Sequence, residues 1–299
     1  MIIECVANVS EGRNERALGA MAAAIRAVAG AHLADVHSDV DHHRSVFTVL
    51  GVPAVVEAAA LALAEAALPR IDMREHRGLH PRLGALDVVP FVPLGDTPMA
   101  VAVAVARRVG AAIGARHAVP VYFYGAAARS PGRRELPDVR RGGYEALAGR
   151  LQTPAGAPDA GPARFAARAG AAAVGAREVL VAYNVWLDTA DVAVARAVAR
   201  AVRERDGGLP AVRALGVALP SRGLVQVAVN LLDYRLTPLP AVFDRVEGEA
   251  ARHGVGVRRA ELVGLLPRAA LGGRTPASVG LADFSETAVL EVHMARVAK

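Results

Sequence analysis

The sequence predicts an α/β (α+β) protein in which two βαββαβ units follow one another along the chain. Apolar positions alternate between strand-like and helix-like spacing. Of the 299 residues, 53% are hydrophobic, which is enough for two cores of ordinary size. The same order of elements occurs twice, on either side of a polar segment rich in proline and glycine at 130–168.

The first repeat is predicted from apolar runs and from helix start and stop signals. Helical spacing ends before Gly30, and Pro53 opens an alanine-rich helix. The predicted elements are strand 2–7, helix 15–29, strands 32–36 and 45–51, helix 53–67 and a short strand near Ile71. An extra βαβ extends this repeat, with strands at 86–92 and 119–124 around a helix at 97–115.

The second repeat follows the polar segment and has the same order. Its predicted elements are strand 179–186, helix 190–205, strands 212–219 and 224–231, helix 240–254 and strand 255–263. This order is that of a ferredoxin-like subdomain, which lays its helices on one face of a sheet and leaves the other face for packing or a ligand. We therefore expect two ferredoxin-like subdomains, 1–177 and 178–299.

The composition excludes several classes of protein. Lys299 is the only lysine, which argues against a P-loop nucleotide hydrolase and a pyridoxal phosphate enzyme. Cys5 is the only cysteine, so the chain has no internal disulfide, cysteine-based zinc knuckle or CxxC pair. Arginine supplies nearly all of the positive charge behind the net +6, and its planar fork favours carboxylate ligands. Aromatic residues make up only 4%, and the arginines are scattered, so we expect no nucleic-acid partner.

The mean hydropathy of +0.30 does not indicate a membrane protein. Alanine and valine account for most of it, and acidic residues such as Glu57 and Asp96 interrupt the long apolar stretches. The N-terminus lacks a basic segment followed by a continuous apolar run. We therefore expect a cytoplasmic protein without a membrane partner.

Polar residues concentrate in three segments, 8–14, 35–44 and 72–87, which we expect to be loops on one rim. In the third, glycine and proline make a helix unfavourable, so His76 and His80 do not form an HExxH pair. A histidine in this arginine-rich turn can exchange protons near neutral pH. The alternative is that His80 only caps the turn, and the spacing alone leaves both open.

The segment 35–44 contains residues that could bind zinc or manganese, namely His37, Asp39, Asp41 and His42. The favoured interpretation is a solvated polar turn, so we expect no metal.

The segment 161–170 has glycine at both ends and two arginines, which suits a flat anionic ligand or a simple linker. Asn184 lies in an apolar strand, where a ligand or the backbone must satisfy its amide.

Together, the segments are more specific than any one of them. The motifs are ECVANVSEGRN, DVDHHRSVFTVLG, IDMREHRGLHPRLGALDVVPFVP, VPVYFYG, GYEAL, PDAGP followed by GAREVLVAYNV, QVAVNLLDY and ELVGLLP. They resemble, in the same order, the motifs of the glutamate formimidoyltransferase (formiminotransferase) family. The resemblance runs from Glu4 to about Pro267 and covers the transferase portion, without the cyclodeaminase domain of the animal enzymes.

The resemblance implies a homodimeric enzyme of histidine degradation and one-carbon metabolism. It would move a formimino group from N-formimino-L-glutamate to N5 of tetrahydrofolate, its co-substrate. The family's proton donor and acceptor falls on His80, which favours the catalytic interpretation. The folate loop falls on 161–170, where we assign Gly161, Pro162, Phe165, Arg168 and Gly170. Substrate binding is assigned to Asp35, His37, Asp39, Arg44, Arg82 and Asn184, with the arginines holding carboxylates.

The chain departs from the family pattern at several positions around this site. His43 stands where asparagine is usual, and Trp186 also replaces an asparagine. Ala126 and Gly143 stand where the family has glutamates. Two alternatives therefore stay open: formyl transfer between 5-formyltetrahydrofolate and glutamate, and a folate-binding paralogue with weakened or no catalysis.

Overall fold

The computed structural model describes residues 1–298. Two compact units are present: the first comprises Met1–Arg177 together with residues 297–298, and the second comprises Glu178–Arg296. Each unit contains one β-sheet with helices packed on it. The prediction of two ferredoxin-like βαββαβ subdomains, the first of them extended, is confirmed.

The sheet of the first unit has six strands. They are β1 (Ile2–Val9), β2 (His32–Asp39), β3 (Arg44–Gly51), β4 (Leu86–Leu94), β5 (Val121–Gly125) and β6 (Ala172–Ala176). Their spatial order is β2-β3-β1-β4-β6-β5, so the first four form the ferredoxin-like sheet and the last two extend it. The first four pair antiparallel, whereas β6 is parallel to both β4 and β5.

Three helices cover one face of this sheet, and two short helices pack on the other. They are α1 (Glu15–Arg26), α2 (Pro53–Ala67), α3 (Met99–His117), α4 (Leu136–Val139) and α5 (Leu147–Arg150). The main core lies between the sheet and helices α1, α2 and α3. Alternate strand residues, such as Phe47 and Val49 of β3, point into it. The opposite face carries the residues between them, Val46 and Thr48, and it is on this face that polar side chains collect.

The second unit repeats the arrangement with four strands. Its elements are β7 (Val181–Leu187), α6 (Val192–Val202), β8 (Val212–Leu219), β9 (Leu224–Leu231), α7 (Leu239–Arg252), β10 (Val257–Val263) and α8 (Leu290–Val297). The sheet order β10-β7-β9-β8 matches β4-β1-β3-β2 of the first unit. The side chain of Asp191 accepts a hydrogen bond from Ala193 N at 2.8 Å and so begins α6.

Three details of the prediction were wrong. No strand forms near Ile71, whose buried side chain lies in the loop between α2 and β4 and packs into the core from there. The strand β6 was not predicted, and it lies between the two strands of the predicted extension. Residues 35–39 belong to β2 rather than to a loop, because they pair with β3 as far as Asp39 and Arg44.

None of the helices within residues 1–298 is both long and apolar enough to cross a membrane. The longest of them, α3, has 19 residues and includes Arg107, Arg108 and Arg116.

Candidate functional site

His80 lies in the loop between α2 and β4, which packs closely against the turn between β2 and β3. A Cβ atom at Gly78 would be only 2.3 Å from the carbonyl oxygen of His42, so this approach requires glycine. The backbone N–H of Leu79 donates to the carbonyl oxygen of Asp41 at 3.2 Å. The two segments thereby hold His80 beside the start of β3.

The surroundings of the His80 ring determine its protonation. Its Nδ1 lies 2.7 Å from the carbonyl oxygen of Pro81, and a carbonyl can only accept, so Nδ1 carries the hydrogen. Burial lowers the pKa of His80 well below its ordinary value, and the charges of Arg44 and Arg140 lower it further. The ring is therefore neutral at physiological pH, with the lone pair on Nε2. A side chain in this state can accept a proton.

A buried carboxylate, that of Asp87, holds the two arginines. Its Oδ2 accepts from Arg44 Nη1 at 2.5 Å and from Arg140 Nη2, and its Oδ1 accepts from Leu83 N at 2.7 Å. Burial acts to raise the pKa of Asp87, but Arg140 and Arg44 outweigh it and the pKa is lowered. Burial lowers the pKa of Arg44 to about 10, so this guanidinium stays charged at neutral pH. The cluster carries two positive charges and one negative charge next to His80.

A second histidine, His76, supports the loop. Its Nδ1 accepts from Arg82 Nε at 3.2 Å, and its Nε2 lies 2.9 Å from the carbonyl oxygen of His43. The pKa of this buried ring is lowered, mainly by desolvation. Because both nitrogens are used in the neutral form, His76 fixes the loop and has no ring nitrogen available for proton transfer.

His43 stacks on His76, with ring centroids 4.4 Å apart and planes 9° apart. Its Nε2 lies 3.1 Å from Glu11 Oε1, and its Nδ1 lies 3.1 Å from the carbonyl oxygen of Arg77. Burial acts to raise the pKa of Glu11, but hydrogen bonds from His43 and from two backbone N–H groups lower it to about 2. His43 has a φ of 49°, a conformation that asparagine and histidine adopt more readily than most residues. Its departure from the family pattern is therefore compatible with the local backbone.

The structure places the predicted substrate residues of the first unit on one face of the sheet. Asp35 is opposite Thr48, His37 is opposite Val46 and Asp39 is opposite Arg44, and cross-strand partners share a face. The side chain of Asp39 accepts from His42 N at 2.7 Å and closes the turn. These three residues therefore lie on the face that carries Arg44.

Arg82, the remaining predicted substrate residue of the first unit, is held by an ion pair with Glu145. Its Nη2 and Nη1 donate to the two carboxylate oxygens of Glu145 at 2.7 and 3.1 Å, and its guanidinium lies 5.9 Å from the Tyr144 ring centroid. The Arg82 pair with Glu145 is exposed on the carboxylate side.

No three His, Cys, Asp or Glu side chains within residues 1–298 are arranged to hold a metal ion. The metal alternative for His37, Asp39, Asp41 and His42 therefore has no support in the geometry.

The predicted folate loop, 161–170, is fixed at several points. Arg168 donates to the carbonyl oxygen of Pro69 at 2.7 Å, and the Tyr144 hydroxyl donates to that of Ala167 at 2.5 Å. The Phe165 ring lies 5.5 Å from the Tyr144 ring. Both terminal glycines have positive φ, 75° at Gly161 and 70° at Gly170, and Pro162 follows the first of them half-buried. Residues 164 and 166–169 line a cleft of about 590 Å³ together with the ends of α2 and α3.

Asn184 belongs to β7 of the second unit. Its side-chain N–H lies 3.5 Å from Glu261 Oε2, across the β7–β10 pair. Two residues further along, the Trp186 ring lies 4.7 Å from the guanidinium of Arg222 and 5.2 Å from that of Arg259.

The sequence analysis missed Asp87 and Arg140 as site residues. Asp87 is the one charged residue in the apolar run LGALDVVPFVPL, and a buried carboxylate needs partners. That signal was available. Arg140 lies in the segment that was interpreted only as a polar separator, and nothing in the local pattern connects it to Asp87, 53 residues away.

Comparison with known families agrees with the motifs. The family model of the formiminotransferase domain, N-terminal subdomain, matches residues 2–177, and that of the formiminotransferase domain matches 182–275. The chain belongs to the formiminotransferase family. The resemblance seen in the sequence is thereby confirmed, and the chain is an enzyme, a transferase.

Relatives of this transferase match over nearly its whole length. It is 40% identical to a glutamate formimidoyltransferase of Thermoplasma acidophilum, across 99% of this chain and 98% of that protein. A glutamate formimidoyltransferase of Streptococcus pyogenes serotype M1 is 36% identical, across 98% of each chain. The formimidoyltransferase-cyclodeaminase of Gallus gallus is 40% identical over 90% of this chain, which spans 51% of that longer protein.

Proposed function

We propose that this formiminotransferase moves the formimino group of N-formimino-L-glutamate to N5 of tetrahydrofolate, with His80 as the general acid and base. The observation that carries the proposal is the contact of His80 Nδ1 with the Pro81 carbonyl oxygen, which places the lone pair on Nε2, in surroundings that lower the pKa of the ring. The names of the relatives, glutamate formimidoyltransferases, support the choice of donor.

Each step of the transfer uses His80 Nε2. N5 of tetrahydrofolate attacks the amidine carbon, and a new N–C bond forms while Nε2 takes the proton from N5. The tetrahedral centre then collapses, the bond from that carbon to the glutamate nitrogen breaks, and the protonated ring gives its proton to the leaving nitrogen. An imidazole that is neutral at rest performs both transfers and ends in its starting state.

The remaining predicted residues bind and align the two substrates. Arg44 and Arg82 would hold carboxylates of formiminoglutamate or of the folate tail. Asp35, His37, Asp39 and Asn184 would contact formiminoglutamate through their polar atoms. Phe165 and Arg168, with the backbone at Gly161, Pro162 and Gly170, would contact tetrahydrofolate. Holding both substrates in the reactive orientation lowers the activation free energy by several kcal/mol, and by about 7–11 kcal/mol in the most favourable cases.

The wider setting of the enzyme is also a proposal. We propose subdomains at 1–177 and 178–299, a homodimer, a cytoplasmic location and a role in histidine degradation. The matches of the two family models to 2–177 and 182–275 support the subdomain limits.

The test is an assay of the purified protein with formiminoglutamate and tetrahydrofolate, with 5-formiminotetrahydrofolate as the expected product. His80→Ala should lower kcat by about 100- to 10,000-fold but leave tetrahydrofolate binding by calorimetry unchanged. His253→Ala, in an exposed position of the second unit, is the matched control and should behave as wild type.

Two other outcomes would replace the proposal. Turnover only with 5-formyltetrahydrofolate and glutamate would indicate the formyl transferase. Tight folate binding by an inactive wild-type protein would indicate the paralogue without catalysis.

A further inference from the structure

Asp87 connects three elements that surround His80. It is fully buried near the start of β4, and its Oδ1 accepts from the N–H of Leu83 at the end of the His80 loop. Its Oδ2 accepts from Arg44, at the start of β3, and from Arg140, directly after α4. The positions of both guanidinium groups relative to His80 therefore depend on one carboxylate.

Both guanidinium groups keep N–H donors that these contacts do not use. Arg44 donates from Nε to Asn8 Oδ1 at 3.0 Å and from Nη1 to Asp87, which leaves Nη2 without a protein partner among the described residues. The Arg140 side chain donates only from Nη2 within residues 1–298, and its Nε is buried without a hydrogen bond. A buried N–H group without an acceptor is uncommon, so the Arg140 Nε donor calls for an explanation, and a bound acceptor supplies one.

The charges within this cluster are also unbalanced. The guanidinium groups of Arg44 and Arg140 share the single carboxylate of Asp87, so the three side chains together carry a net positive charge. A single carboxylate ligand would balance this charge and accept from the unused N–H groups.

We propose that Asp87 is a positioning residue that fixes Arg44 and Arg140 as a seat for one substrate carboxylate beside His80. The identity of the substrate rests on the proposed function, but the seat itself does not. The carboxylate comes either from N-formimino-L-glutamate or from the glutamate tail of tetrahydrofolate, and the two sources share the same chemistry.

The test combines Asp87→Asn with substrates that lack one carboxylate. The analogues are the γ-amide and the α-amide of N-formimino-L-glutamate, and tetrahydropteroate in place of tetrahydrofolate. For wild type, removal of the seated carboxylate should lower kcat/KM by about 10- to 100-fold, as expected for a charge-assisted contact. Asp87→Asn should lower kcat/KM for the parent substrates by a similar factor. With the one analogue that lacks the carboxylate bound by Arg44 and Arg140, the kcat/KM values of Asp87→Asn and wild type should agree within about twofold, because the contact is already absent.

A merely structural role predicts a different pattern. Asp87→Asn would then lower kcat/KM by the same factor with every analogue. Such additive effects of the substitution and of the missing carboxylate would overturn the proposal. Arg140→Gln should reproduce the analogue pattern, and it keeps the proposal testable if Asp87→Asn does not fold. Asp138→Asn, which breaks a surface pair with Arg141 in the same region, is the matched control and should change nothing.

Calorimetric titration separates this inference from the proposed reaction. If wild type shows no turnover, the binding of N-formimino-L-glutamate and tetrahydrofolate is compared with that of the same analogues. A loss of affinity in Asp87→Asn that disappears for one analogue supports the seat even though the proposed reaction has failed. Equal affinity of wild type and Asp87→Asn for all of these ligands, or no binding by either, overturns it.

Discussion

The Nδ1 atom of His80 lies 2.7 Å from the carbonyl oxygen of Pro81, its neighbour in the chain. This contact assigns the hydrogen to Nδ1 and the lone pair to Nε2. Burial and the nearby arginines keep the ring from gaining a second proton. The chemistry proposed for this transferase follows from that single protonation state.

The pH dependence of kcat/KM should reflect this state. The pKa of His80 is well below 6.5, and only the neutral ring accepts a proton, so activity should persist as pH falls through 6.5 and decline only below it. Steady-state rates between pH 5 and 9, measured anaerobically, check this. An acidic limb with a midpoint above 6.5 would show that the ring is not shielded in this way.

Gly78→Ala should displace the His80 loop. The added Cβ would lie 2.3 Å from the carbonyl oxygen of His42 and 2.9 Å from His43 Cβ, so the loop must move. A displacement of this size should lower kcat/KM by about 100-fold. Gly19→Ala on the open surface of α1 meets nothing within 4 Å and is the control. It should keep full activity and raise the free energy of unfolding by about 0.5–1 kcal/mol. Wild-type kinetics in Gly78→Ala would disprove the close approach.

Glu4→Gln should change how stability varies with pH. Burial raises the pKa of Glu4 from 4.5 to about 7, and Arg177 offsets this only in part. Between these values the unfolded chain releases the proton first, so rising pH lowers the wild-type free energy of unfolding, by about 3 kcal/mol in all. Glu4→Gln has no carboxyl group to titrate, so its free energy of unfolding should not fall in this way. Relative to wild type it should therefore rise by about 3 kcal/mol between pH 4.5 and 8.

Urea unfolding at both pH values measures the effect of Glu4→Gln. Glu247→Gln, at an exposed position of α7, is the control and should show no such trend. A difference between Glu4→Gln and wild type that stays constant with pH would contradict the raised pKa.

Tyr144→Phe should loosen the predicted folate loop. The variant loses the hydrogen bond from the hydroxyl to the carbonyl oxygen of Ala167, at 2.5 Å. One such bond is worth about 1 kcal/mol, so the Kd for tetrahydrofolate should rise about fivefold. Calorimetry measures this change, with Tyr234→Phe in the second unit as control. Unchanged affinity in Tyr144→Phe would argue against a role of the loop in folate binding.

Most of the fold could be predicted from local patterns, because apolar periodicity determines which residues a helix or strand can bury. The strand β6 could not. Its sequence AAVGA contains one β-branched residue, and it forms a strand because β4 and β5 pair with it on both sides. Its Gly175 also packs directly under the Tyr124 ring, a contact that no local pattern shows.

The sequence assigns candidate site residues only where they share a segment. The family motifs indicate His80 and the three polar residues of β2, which lie on one face because alternate residues of a strand point the same way. The link from Asp87 to Arg44 and Arg140 joins positions 43 and 53 residues apart, and only the packed structure brings them together. The strand predicted near Ile71 is wrong for a different reason. Ile71 is apolar because its side chain is buried from a loop, and an apolar residue buried in this way cannot be distinguished from a strand residue by sequence.

The most direct test of the His80 assignment is chemical rescue of His80→Ala. We expect kcat to fall by about 100- to 10,000-fold, the usual contribution of a positioned acid or base. Added imidazole should restore part of that rate, in proportion to the concentration of its neutral form. A His80→Ala enzyme that transfers the formimino group at the wild-type rate, or that imidazole does not accelerate at any pH, would contradict the account.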